Sequence, residues 1–179
     1  MCVWLTGLSG SGKSTTATAL AQRLEALGCR VRILDGDVVR ASRPQQLGFS
    51  RSDREANALA VAQLAFEALA AGEIAICALI SPYRDTRDRV RTLIGANAFV
   101  EVFIDTPLAL CEARDVKGLY RRAREGTITG VTGVDDPYEP PTAPDVRLTT
   151  ATTTPEENVE ILLRQLEQRG LVLPCSTRG

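Results

Sequence analysis

The sequence predicts an α/β fold in three layers, a central parallel sheet of about five strands covered on both faces by helices. Three observations carry this. Short apolar runs alternate along the chain with longer stretches whose apolar residues recur at helical spacing. A glycine-rich segment lies where the first apolar run gives way to the first helical stretch, at residues 7–14. The chain has 179 residues, 44% hydrophobic and 24% charged, the size and balance of one globular domain. Strand and helix in alternation require crossover connections, and right-handed crossovers wind parallel strands outward from the first one.

Each element follows in order. Cys2–Thr6 is an apolar run closed by Gly7, the first strand. Residues 13–27 carry Ala, Leu and Thr at helical spacing and stop at Gly28. Residues 31–34 form a second strand, followed by an Asp35-Gly36-Asp37 turn. Residues 50–71 read as a long Ala-rich helix, capped by Ser50 or Ser52 and ended by Gly72. The continuous apolar run 74–80 is the central strand. A helix over 83–94, a strand over Phe99–Ile104 and a short helix opened by Pro107 and running to Arg114 come next. An amphipathic helix over 155–169, with Thr154 as cap, closes the pattern. Residues 115–144 break it, being rich in Gly, Pro, Thr and charge, with one helical piece at 119–125. A loop this long inside a compact domain reads as a lid or binding loop. With no repeat or linker in view, residues 1–174 are read as a single domain, the lid as about 115–144, and 175–179 as a C-terminal tail.

Composition narrows the chemistry. Lys+Arg at 21 against Asp+Glu at 22 leave a formal net charge of −1, so no global basic field invites nucleic acid or an anionic membrane. The chain has no histidine, which removes Ser-His-Asp and Cys-His catalysis and His-ligated metals. Any general base must be Asp, Glu, Lys, Tyr, Cys or water. The five cysteines form no CxxC pair and are read as reduced thiols of a cytoplasmic protein rather than a zinc site or redox dithiol. No apolar run approaches the roughly 18–20 residues of a membrane span, and the N-terminus lacks a secretory pattern.

Gly7-Leu8-Ser9-Gly10-Ser11-Gly12-Lys13-Ser14 matches GxxxxGK[ST], and Thr15 extends it. It follows a strand and opens a helix, the context of a P-loop. Glycines let the backbone curl until its N–H groups converge on phosphate oxygens, and the helix N-terminus adds partial positive charge. In such a loop Lys13 reaches the β/γ phosphates and the Ser14 hydroxyl ligates Mg²⁺, so ATP and Mg²⁺ are the implied cofactors. The chain has no NKxD guanine-reading sequence and no hydrophobic run ending in Asp-Glu. A compact P-loop NTPase fold with a lid, built for phosphoryl transfer, remains.

Six segments together resemble the adenylylsulfate kinase family: GLSGSGKST at 7–15, LDGDVVR at 34–40, LGFSRSDR at 47–54, ISPYR at 80–84, DTPLALCEARDVKGLYRRAR at 105–124 and TGVDDPYEPP at 132–141. The resemblance covers residues 2–150 in order and spacing. It implies transfer of the γ-phosphoryl of ATP to the 3′-hydroxyl of adenylylsulfate, giving 3′-phosphoadenylylsulfate and ADP. It also implies a homodimer; that neither nucleic acid nor membrane is a partner is the reading of the near-neutral charge and of a basic run without interleaved aromatics.

The same resemblance assigns residues. Asp37 is the base for the acceptor hydroxyl, with Asp35 organising Mg²⁺ or water. Arg40, Arg54 and Asn57 hold the acceptor nucleotide, and Phe49 stacks on its adenine. Ile80 and Ser81 meet the acceptor where the central strand ends. This family's serine has been described as a phosphoryl carrier, although direct in-line transfer needs no covalent stage. Arg114 packs against the ATP base, Lys117 neutralises the transferring phosphate when the lid closes, and Leu119 touches the acceptor base. The basic run Arg121, Arg122 and Arg124 is read as a solvated face.

The chain also departs from the family pattern. Asn57 is followed by Ala58-Leu59-Ala60 where the family has Ile-Arg-Arg. Val131 stands at a substrate-binding position where the family has the Phe of an adenine sandwich. Residues 41–46 lack the usual His-Gly-Leu. These changes leave open a same-fold kinase for another small alcohol or nucleoside-like metabolite, and a non-catalytic ATP-binding subunit.

Overall fold

The computed structural model describes residues 1–42 and 48–168. Its five strands are β1 (Cys2–Thr6), β2 (Val31–Asp35), β3 (Ile74–Ala78), β4 (Phe99–Ile104) and β5 (Val146–Leu148). They form one sheet in the order β2-β3-β1-β4-β5, and every pairing is parallel. The helices are α1 (Lys13–Ala26), α2 (Gly36–Ala41), α3 (Arg51–Ala70), α4 (Arg84–Ile94), α5 (Leu108–Arg114), α6 (Leu119–Arg124) and α7 (Pro155–Gln168).

The two-residue period of β1 divides the core. Val3 and Leu5 face one layer, where they meet Leu20 and Leu24 of α1 and Leu162 and Leu166 of α7. Cys2 and Trp4 face the other, against Val61 and Ala65 of α3 and Val90 of α4. All five residues of β1 are buried, because a central strand is covered on both faces.

Two elements differ from the expectation. β5 is three residues long, too short to leave a hydrophobic period in the sequence. The Asp35-Gly36-Asp37 turn is the start of helix α2, whose N-cap is Asp35, accepting from the Asp37 N–H. Ser50, not Ser52, caps α3, in a capping box with Asp53. Thr154 caps α7: the Glu157 N–H donates to its hydroxyl at 3.2 Å.

Cys2, Cys77 and Cys111 are free and buried. Cys29 is disulfide-bonded, so the expectation of reduced thiols fails there. Cys175 and the expected tail lie outside the described residues, as do residues 43–47. Among the described residues no helix is long and apolar enough to cross a membrane.

The carboxyl ends of β1, β2, β3 and β4 lie along one edge of the sheet, where open parallel sheets collect ligands. Residues 115–144 lie against that edge. They contain α6 and a small apolar cluster of their own, in which Tyr120 and Val131 bury against Cys111 of α5.

Candidate active site

A cleft of about 540 Å³ opens at that edge. At one end is the loop between β1 and α1. A Cβ on Gly7 would lie 2.7 Å from the Ile104 carbonyl oxygen, so only glycine lets the loop pass β4. Gly12, with φ 100, is the N-cap of α1 and offers no side-chain cap. The first N–H groups of the helix are therefore left for an anion.

Lys13 is buried. Its ammonium donates to the Leu8 carbonyl at 2.7 Å and the Gly7 carbonyl at 3.0 Å. Burial lowers its pKa from 10.5 to about 8, partly opposed by the charge of Asp37. The loop is braced from outside by Arg114, expected at the site, and by three groups that sequence reasoning missed, Thr106, Thr150 and Tyr120. Thr106 and Thr150 both donate to the Ser11 carbonyl, at 3.1 and 2.7 Å. Arg114 joins Thr150 to the Gly10 carbonyl. Tyr120 donates to the Ser9 carbonyl at 2.9 Å.

Asp35 and Asp37 sit beside this loop because β2 ends next to β3. The Ser14 hydroxyl donates to Asp35 Oδ2 at 2.9 Å, and the Asp37 N–H to Asp35 Oδ1 at 2.9 Å. Asp37 forms an ion pair with Lys117 of the lid, so the lid reaches across the cleft to α2.

The donor set fits a triphosphate and a divalent cation. The hydrogen bonds of Lys13 go to neutral oxygens, leaving its charge available to phosphate. Ser14 and Asp35 present adjacent hard oxygens of the kind Mg²⁺ prefers. Among the described residues no cluster of three or more carboxylates or thiols could hold a metal unaided, so phosphate oxygens would complete the shell.

The other end of the cleft is a cationic and aromatic wall. Phe49 is 56% exposed, and its ring carries the Arg40 guanidinium 5.1 Å and the Arg54 guanidinium 5.6 Å from its centroid. Arg54 is fixed by the Phe49 and Gly130 carbonyls and by Asp136 at 3.5 Å. Asn57 donates to the Gly36 carbonyl at 3.1 Å. Its Oδ1 is buried and has no hydrogen-bond partner among the described residues, an acceptor left for a ligand or water.

Ile80, Ser81 and Pro82 form a further side of the cleft. The Ser81 hydroxyl accepts from Trp4 Nε1 and donates to Thr6 Oγ1, both at 3.1 Å. Both bonds tie it to β1, so the hydroxyl is not set up as a nucleophile. Residues 132–141 strap this region down. Tyr83 donates to Asp136 at 2.9 Å, and Tyr138 meets the Thr6 hydroxyl at 3.0 Å. Burial pushes the Tyr138 phenol up to about 12, so it stays a neutral hydrogen-bonding group.

Of the sequence-predicted residues, Ser9, Gly10, Gly12, Lys13, Ser14, Thr15, Asp35, Asp37, Arg40, Phe49, Arg54, Asn57, Ile80, Ser81, Arg114, Lys117 and Leu119 line the one cleft. Gly7 and Ser11 lie beneath it, shaping the loop. Val131 is a correction: it is buried in the lid's own cluster rather than facing the cleft, because an apolar side chain at that position packs under α6. The Ala58-Leu59-Ala60 departure also misses the cleft. Ala58 is in the core, and Leu59 opens onto a surface groove between α3 and α4.

A phosphate-binding loop on a five-stranded parallel sheet, joined by one cleft to a cationic and aromatic wall under a lid, defines a P-loop kinase for small molecules. A family profile described as adenylylsulphate kinase matches residues 1–149. The adenylyl-sulfate kinase of Picosynechococcus sp. (strain ATCC 27264 / PCC 7002 / PR-6) is 48% identical over 172 residues, 96% of each chain. The Mycobacterium tuberculosis APS kinase CysC, solved in complex with AMPPNP and APS, superposes with a TM-score of 0.88 at 41% identity, covering 93% of this chain and 96% of that one. A hexameric APS kinase from Thiobacillus denitrificans gives a TM-score of 0.70 at 36% identity, covering 96% of this chain and 29% of that one. The chain belongs to the adenylylsulfate kinase family and is an ATP-dependent phosphotransferase.

Proposed function

We propose that the cleft passes the γ-phosphoryl of ATP to the 3′-hydroxyl of adenylylsulfate, giving 3′-phosphoadenylylsulfate and ADP. The supporting observation is the place of Asp37. It lines the cleft in the first turn of α2, between the N-cap Asp35, which accepts from Ser14 of the phosphate loop, and Arg40 in the last turn of the same helix, so it stands where the two ends of one cleft meet. The departures from the family pattern at 58–60 and 131 lie off the cleft wall, which favours the family's own acceptor over another alcohol.

Each residue then has a task. Lys13 exchanges the Gly7 and Leu8 carbonyls for phosphate oxygens and meets the charge that spreads over the transferring group. Ser14, beside Asp35, would hold Mg²⁺, whose contribution is to neutralise phosphate charge. Lys117 leaves Asp37 for the phosphates as the lid settles. That frees the Asp37 carboxylate to take the acceptor's proton while the acceptor oxygen bonds to phosphorus and the bridging oxygen leaves with ADP. Phe49 and the two arginines hold the acceptor's base and anionic end, and Arg114 lies on the ATP-base side. The lid excludes water that would otherwise take the phosphoryl group.

We read the working form as a cytoplasmic homodimer, with residues 1–174 as its folded unit. Light scattering should give twice the chain mass. A monomer or a higher assembly would overturn the dimer.

The deciding assay is ADP release with ATP-Mg²⁺, with and without micromolar adenylylsulfate, using Lys13→Ala as blank. Strong stimulation lost in the variant is expected. ATP binding without stimulation would mean a different acceptor or a non-catalytic subunit.

A further inference from the structure

Arg87 lies outside the cleft, yet it is only 2% exposed. Its guanidinium joins three separate segments. Nε donates to Glu101 of β4, Nη1 to the Ser81 carbonyl and Nη2 to the Glu139 carbonyl, each at 2.7 Å. A buried cation persists when it is paired and hydrogen-bonded, and Glu101 is the counter-charge. Glu101 is itself fixed, since its N–H donates to Asp145, which also pairs with Arg91.

What Arg87 holds is the acceptor side of the cleft. Ser81 has φ 37, a backbone conformation that survives in a non-glycine residue only when its surroundings impose it. Trp4 and Thr6 fix the Ser81 side chain, and Arg87 fixes its carbonyl. The Glu139 N–H donates to the Pro82 carbonyl at 2.8 Å, so Arg87 and this bond together clamp the strap to the turn at residues 80–82.

We infer that Arg87 is a positioning residue that sets the acceptor wall through Ser81 and Glu139 without touching either substrate. A planar fork can serve three acceptors in fixed directions, and the point charge of lysine cannot. The identity of the acceptor rests on the proposed function. The clamp itself does not.

Arg87→Lys tests this, keeping a cation opposite Glu101, with Arg87→Met as a second variant. Wild type and variants are compared by amide hydrogen exchange and by steady-state kinetics. Exchange should rise about tenfold or more at residues 79–83 and 137–141, with residues 7–15 as protected as in the wild type. The kcat/KM for adenylylsulfate should fall about 10–100-fold, with ATP affinity within about twofold. Exchange unchanged at the turn, or faster everywhere alike, would overturn the inference, as would equal weakening of both substrates or none. If the wild type shows no adenylylsulfate-dependent turnover, it is the acceptor reading that fails, and exchange at 79–83 and 137–141 alone decides for or against the clamp.

Discussion

At the phosphate end of the cleft most of the groups that would meet ligand come from one short stretch, residues 9–16, with Asp35, Arg114 and Lys117 added from elsewhere, and much of what the stretch offers is backbone. At the acceptor end the wall is assembled from α2, residues 48–54, α3, residues 78–82 and the lid, and what it offers is mostly side chains. The first end is rigid because glycines admit close approach and threonines brace the carbonyls. The second is positioned at a distance, by Arg87, Asp136 and Tyr138 acting on the turn and the strap. Charge stabilisation can therefore be encoded locally, whereas recognition of an acceptor needs elements far apart in sequence.

Substitutions at the two ends should separate cleanly. The largest effect is expected at Lys13. Lys13→Ala should lower kcat by about 10³-fold, with a melting temperature close to the wild type, read by ADP release and thermal denaturation. Asp37→Asn comes next, with kcat reduced about 10²–10³-fold and ATP affinity retained in a calorimetric titration. Phe49→Ala should raise the adenylylsulfate KM about tenfold or more and leave the ATP KM unchanged. Equal changes in both KM values would erase the distinction between the ends.

The phosphate end alone should carry a pH signature. Lys13 titrates near pH 8 in the ligand-free protein, and phosphate binds its protonated form. ATP affinity should fall up to about tenfold per pH unit above 8, with proton uptake on binding at pH 9, seen by calorimetry in two buffers. The sign for stability is opposite. The folded pKa lies below the ordinary 10.5, so the unfolded chain holds the proton more tightly between those values. On this group's account the ligand-free protein gains stability as pH rises from 8 to 10.5.

The smallest effect on activity belongs to Val131→Phe. In a buried lid cluster the larger ring should cost about 1–3 kcal/mol in stability. It should not lower the acceptor KM. A lower KM would return residue 131 to the cleft wall.

Much of this was legible in the residues. Apolar runs and glycine stops placed β1 and α1 to within a residue, because those signals act over one or two turns of chain. β5 was not legible, since Val146–Leu148 becomes a strand by pairing with β4 rather than by its own pattern. The fate of Val131 was hidden as well. Family spacing put it beside the acceptor, and packing against Cys111 and Tyr120 turned it inward.

Residue order alone determined the three layers, the phosphate loop and the absence of a histidine base, because each depends on local backbone chemistry or on which side chains exist at all. The direction of each acceptor-side residue was settled by folding. Arg54 meets Gly130 from 76 residues away, and Ser81 turns its hydroxyl inward because Trp4 and Thr6 wait there. Side-chain direction follows from packing between distant segments, and no spacing along the chain encodes it.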